Sequence, residues 1–149
     1  MKDFLQDQSN PFPVLYLSFP STKDPEKLKS SPNRTTMEAI TLAPFSWFER
    51  WKDQSWKKRG AEYESLKENI CQRMFDQIFL TLPQLKGKID YYELSTPLST
   101  KAMMNYEKGE LYGLEHSPSR FRQRWLRPQT PIQGLFLTGQ DITTVGLTG

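Results

Sequence analysis

The order of structural signals along the chain predicts an α+β arrangement, or a part of an α/β one. Three observations carry that expectation. Two short runs of strand formers lie early, at 14–18 and 35–42, and one long amphipathic helix follows over 60–82. Near the end, the apolar run Leu135-Phe136-Leu137-Thr138-Gly139 closes on a glycine and leads into another glycine-containing segment.

Each element has its own warrant. Val14-Leu15-Tyr16-Leu17-Ser18 follows Pro11 and Pro13 and is rich in strand formers, which predicts a buried strand. Residues 20–33 are polar and contain Pro20, Pro25 and Pro32, which predicts a loop. Residues 35–42, closed by Pro44, form a second strand candidate. Ser46 stands three residues before Glu49, the spacing of a capping box, so a short helix carrying Trp47, Phe48 and Trp51 is expected there. In 60–82, Tyr63, Leu66, Ile70, Met74, Ile78 and Leu82 recur at helical spacing, with Cys71, Phe75 and Phe79 in an adjacent row. Such a wide apolar stripe marks a helix packed on a core, and Pro83 ends it. Cys71 lies in the stripe and reads as a buried, inert thiol rather than a nucleophile. Residues 88–95 predict a strand, 99–105 a short helix, and Gly109 and Gly113 mark turns. The stretch 120–130 is irregular, and 143–149 looks like the first turn of a helix. One turn cannot sustain itself, so a truncated chain is the expectation.

Composition narrows the function classes. The 149 residues suffice for one ordinary domain, but 36% hydrophobic content is lean for a self-enclosing core. Aromatic content of 13% argues against disorder. A net charge of +3 is small for a nucleic-acid binder, so the clusters at Lys57-Lys58-Arg59 and at Arg120, Arg122, Arg124 and Arg127 read as solvated faces or anion contacts. One cysteine and one histidine, His116, exclude a disulfide and a CxxC or histidine-rich metal site. No apolar run reaches the roughly 18 residues of a membrane span, and the polar start is no signal peptide. The expected place is the cytoplasm, or a membrane surface by peripheral contact.

The chemistry-bearing segment is 134–149, GLFLTGQDITTVGLTG. A strand delivers the chain to Gly139, where the missing side chain allows close approach of a ligand. Asp141 can accept hydrogen bonds from ligand hydroxyls, and a helix start near Val145-Gly146 presents free N–H groups and partial positive charge. Together these describe a nucleotide-cofactor cradle. Short glycine motifs also arise at ordinary strand-to-helix turns, so the segment alone leaves both readings open.

Further blocks point to a family. They are Phe19-Pro20-Ser21-Thr22-Lys23-Asp24-Pro25, Thr41-Leu42-Ala43-Pro44 with Trp47-Phe48, and Trp56-Lys57-Lys58-Arg59-Gly60. Tyr91-Tyr92-Glu93-Leu94-Ser95-Thr96-Pro97, Asn105-Tyr106-Glu107-Lys108-Gly109 and Tyr112-Gly113-Leu114 continue the series. Arg124-Trp125-Leu126-Arg127-Pro128 and Leu137-Thr138-Gly139-Gln140-Asp141 complete it. In content and order these resemble the C-terminal part of the retinol saturase and carotenoid isomerase family of phytoene desaturase-like, FAD-dependent oxidoreductases. The likeness runs from about Pro13 to the end.

The resemblance implies an α+β fragment of an α/β FAD-binding flavoprotein. Residues 1–131 would be part of a mixed-sheet substrate domain, and 132–149 a strand and helix start returning to the FAD domain. Gly139 and Asp141 would approach the cofactor, with Asp141 at the ribityl or pyrophosphate region. The backbone at Val145, Gly146 and Leu147 would face the flavin pyrimidine edge, and Tyr112-Gly113 would run close to the isoalloxazine. The implied substrate is an apolar conjugated polyene, carotenoid- or retinoid-like, that is saturated, desaturated or isomerised. The sequence contains no GxGxxG for the ADP half of FAD, so an N-terminal FAD-binding portion or partner chain is required. The chain alone is expected to be inactive and to bind FAD weakly or not at all. A split flavoenzyme subunit and a non-catalytic binding module stay open beside the fragment reading.

Single residues add little. His116 lies in a turn-rich segment and reads as a surface group. Trp47, Trp51, Trp56 and Trp125 read as packing residues rather than a polyene lining. Glu93 has acid–base chemistry but nothing that places it near a substrate. No catalytic residue is assigned, because hydride chemistry would belong to the flavin.

Overall fold

A computed structural model describes residues 10–142. The expected helix start at 143–149 lies outside the described residues. The chain divides into two compact units, Met1–Leu94 and Ser95–Gly149. This division of packing falls elsewhere than the 131/132 boundary that the resemblance implies for function.

In the first unit, strand β1 (Leu15–Ser18) pairs antiparallel with β2 (Glu38–Thr41), with Tyr16 opposite Ile40 and Leu17 opposite Ala39. The expectation of a buried strand is corrected. Leu15 and Leu17 are half-buried, whereas Tyr16 and Ile40 are 59% and 41% exposed on the other face. A two-stranded ribbon has one covered face at most, which is why side chains alternate so sharply here. Thr41 Oγ1 donates to the Val14 carbonyl at 2.7 Å and fastens the ribbon end.

The connection between the strands is more ordered than its prolines suggest. It holds a 3-10 turn (Pro20–Lys23) and helix α1 (Pro25–Ser30). Asp24 caps that helix, accepting from the Glu26 and Lys27 N–H groups, and Pro25 occupies the first position, where no N–H is needed. The Asp-Pro pair is thus a start signal inside what reads as a loop.

Beyond β2, Phe45–Trp47 and Glu49–Trp51 form two 3-10 turns without a side-chain cap. The expected capping box does not form, because Ser46 sits within the first turn instead of ahead of it. The turns still bury Phe48 and Trp51, as their aromatic content anticipates.

Helix α2 (Gly60–Thr81) organises the unit. Tyr63, Ile70, Cys71, Met74 and Ile78 are buried, and these are members of the predicted stripe. Trp51 and Phe48 meet Tyr63 edge-on, with centroids 5.4 and 6.4 Å away. Farther along, Arg73 lies over the Phe12 ring and donates to the Asn10 carbonyl, while Gln77 reaches the Phe12 carbonyl. The ribbon's covered face and the end of α2 border a cavity of about 320 Å³ lined by Leu15, Leu17, Gln77, Leu80 and Thr81.

Residues 88–95 do not form the expected strand, since no strand partner lies beside them among the described residues. Tyr92 turns to α2 instead. Tyr92 donates to Glu68 at 2.9 Å, and its ring meets Phe75 edge-on at 4.9 Å.

The second unit contains helices α3 (Pro97–Met104) and α4 (Pro118–Phe121), joined by turns. Thr96 and Ser99 form a reciprocal capping box around Pro97, and Asn105 ends α3 in the left-handed region at φ 58°. Gly109 is required by contact: a Cβ there would lie 1.9 Å from the Pro97 carbonyl oxygen. The expected strand at 135–139 is corrected to an extended stretch with a single bridge, Gln129 to Phe136. Leu135, Phe136 and Leu137 are 47%, 65% and 44% exposed. The Leu135 N–H donates to the Ile132 carbonyl, the Leu137 N–H donates to the Pro128 carbonyl, and the Leu135 carbonyl accepts from Thr130 Oγ1. A strand former without a neighbouring strand cannot complete a ladder.

Candidate functional site

The predicted cofactor-facing residues that are described, Gly139 and Asp141, lie in the second unit. Val145, Gly146 and Leu147 lie outside the described residues. Gly139 has φ 118°, a left-handed conformation that favours glycine, and a Cβ there would meet no atom within 4 Å. The backbone is therefore open on that side, as a close ligand approach requires.

Asp141 is brought to the Tyr112-Gly113-Leu114 turn. Its Oδ1 accepts the Leu114 N–H at 2.7 Å. Gly113 makes this possible, with φ 68° and a position where a Cβ would stand 1.9 Å from Oδ1. Two blocks that the sequence analysis singled out separately thus meet through one carboxylate. Among the described residues no hydrogen bond engages Oδ2. The donor set fits a flavin's hydroxylated chain: a carboxylate held by one oxygen can accept a ribityl hydroxyl through the other. It fits a pyrophosphate poorly, since both groups are anionic.

Arg120 braces the same two stretches of backbone. Its guanidinium donates to the Leu114 carbonyl at 2.6 Å and to the Gln140 carbonyl at 3.1 Å, each one residue away from the Gly113–Asp141 contact. It is only 7% exposed, so the reading of this arginine as part of a solvated face is corrected. Sequence gave no sign of this, because its spacing matches that of its exposed neighbours. His116 is exposed, as expected, with its ring nitrogens 3.1 and 3.2 Å from the guanidinium, so at most one accepts from it. Gln140 completes the cluster by donating to the Tyr106 hydroxyl.

The other candidates have surroundings of their own. Cys71 is buried, and burial pushes its thiol above the ordinary 9.0, which suits an inert side chain. Glu93 accepts from the Tyr91 hydroxyl at 3.2 Å in the first unit. Trp51 is buried in the core of this chain, whereas Trp56 and Trp125 are 44% and 69% exposed. Among the described residues no group of histidine, cysteine or acidic side chains could hold a metal, and no helix is long and apolar enough to cross a membrane.

The order of the blocks along the chain resembles that of retinol saturase-like proteins, and comparison with known proteins bears out the resemblance. The chain is similar over nearly its whole length to the C-terminal part of all-trans-retinol 13,14-reductases. It is 39% identical to the Rattus norvegicus protein over 140 residues, covering 92% of this chain and 23% of that protein. The Homo sapiens protein is 34% identical over 147 residues, covering 97% of this chain and 24% of that protein. A Danio rerio relative, named an inactive all-trans-retinol 13,14-reductase, is 35% identical over 150 residues, covering 97% and 24%. The chain thus spans about a quarter of the length of these relatives. No family model matches, and no solved structure matches.

Proposed function

We propose that this chain supplies the C-terminal quarter of a retinoid-acting, FAD-dependent oxidoreductase. The observation that carries the proposal is the similarity to all-trans-retinol 13,14-reductases along 92% or more of the chain. In this reading the chain contributes one wall of the flavin site, and an N-terminal portion bearing the ADP-binding fingerprint contributes the other, in the same polypeptide or as a partner. FAD, when bound, supplies the hydride chemistry. The residues of this chain position it. Asp141 is the acceptor for a ribityl hydroxyl, Leu114 fixes that carboxylate, and Arg120 holds the two supporting backbone stretches together. Gly139 lets the cofactor approach the backbone. The substrate class is an apolar polyene of the retinoid type, and the reaction is saturation of one of its double bonds.

A second reading has a specific observation behind it. One relative is named inactive at an identity close to that of the others, so likeness in this quarter does not decide turnover. A non-catalytic homologue would keep the fold of this chain unchanged.

Both readings are separated by exchanging the C-terminal quarter of the Rattus norvegicus protein for this chain and assaying the hybrid with all-trans-retinol. The proposal expects a dihydroretinol product above the level of a hybrid carrying Asp141→Ala. A soluble hybrid that forms no product, with or without flavin, favours the non-catalytic reading and rejects the proposal.

A further inference from the structure

The arginine-rich stretch after α4 has no role in the proposed flavin wall beyond the bracing by Arg120. Arg120, Arg122, Arg124 and Arg127 fall within eight residues and line one cavity of about 250 Å³ in the second unit. None of the four has a carboxylate within ion-pair distance among the described residues. Like charges at such spacing repel, and a solvated surface would spread them apart; here they border a shared concavity. Arg120 sharpens the point. It is buried, its two terminal nitrogens are occupied by carbonyls, and its Nε has no hydrogen-bond partner. A buried cation that meets only neutral acceptors is incompletely compensated.

We propose that this cavity is an anion site that binds a phosphate group. A guanidinium fork matches phosphate oxygens, and the exposed Arg122, Arg124 and Arg127 border the same cavity. The lining decides the class of ligand: exposed guanidinium groups suit a compact anionic head and not a neutral polyene. The phosphate can belong to a soluble compound or to a lipid headgroup, and the chemistry of recognition is the same for both.

Calorimetric titration of the full chain with inorganic pyrophosphate at low salt tests the site without any flavin, so its failure is separate from failure of the proposed function. Binding is expected to weaken about tenfold for each arginine contact removed, hence about a hundredfold in Arg124→Gln/Arg127→Gln, two exposed positions. Lys27→Gln/Lys29→Gln, an equal charge change on α1, is expected to leave binding unaltered. A parallel arm uses phosphatidylcholine vesicles with and without phosphatidic acid. Pyrophosphate binding assigns a soluble ligand. Capture by the acidic vesicles alone, lost in the arginine pair and kept in the lysine pair, assigns a headgroup. No binding in either arm, or equal losses in both pairs with unchanged circular dichroism, overturns the proposal.

Discussion

Gly113 and Asp141 depend on each other, although 27 residues separate Leu114 from Asp141. Adding a methyl at Gly113 would place it 1.9 Å from Oδ1 in a backbone region that side chains disfavour. Gly113→Ala is therefore expected to expel the carboxylate, leave the Leu114 N–H unpaired and cost about 2 kcal/mol or more, as read by urea unfolding. An unchanged midpoint would mean that the contact contributes nothing. At this scale the sequence was half legible. Glycine and aspartate marked the turns through their chemistry. Their partnership did not show, because contacts between loops have no periodicity to read. Arg120 was opaque for a related reason: four arginines within eight residues look equivalent until the backbone buries one of them.

Elements separate by how local their cause is. Helix α2 was legible because its stripe repeats over six turns and needs no distant partner to be recognised. Ile78, 1% exposed, sits in that stripe, and Ile78→Ala is expected to cost about 3 kcal/mol in denaturant unfolding. The strands at 88–95 and 135–139 were misread because strand propensity states a preference for pairing, and pairing needs a neighbour. Where 88–95 goes instead gives α2 a pH signature. Hydrogen bonds from Gln72 and then Tyr92 hold the Glu68 carboxyl below its ordinary 4.5, so this contribution is present above that pH and is lost as pH falls through the lowered value. The hydrogen bond to Glu68 holds the Tyr92 phenol above its ordinary 10.0, so the same contact is complete below pH 10.0 and is lost as pH rises through the raised value. Thermal melts across pH should lose their acid limb in part in Glu68→Gln. Identical acid limbs in the two proteins would remove the contact from the account.

At the level of the whole molecule, the apolar residues that remain exposed are the informative ones. Tyr16 and Ile40 form one exposed pair, and Ile132, Leu135, Phe136 and Leu137 form an exposed run in the segment that reads as a strand. Under the proposed function these side chains are covered by the remainder of the protein. The chain by itself is expected to bind 1-anilinonaphthalene-8-sulfonate strongly, and to do so much less within the hybrid protein described above. The family was legible because many short blocks kept their order along the chain, a signal that survives where single motifs are ambiguous. The cofactor contacts that the resemblance implies at 145–147 fall outside the described residues. The measurement that bears most directly on the central claim is the flavin content of the hybrid carrying this chain in place of the C-terminal quarter of the Rattus norvegicus protein. Bound flavin, visible in the absorption spectrum of the purified hybrid and depleted by Asp141→Ala, is the predicted result. A folded, soluble hybrid with no flavin absorption, beside a parent protein that retains it, would contradict the account.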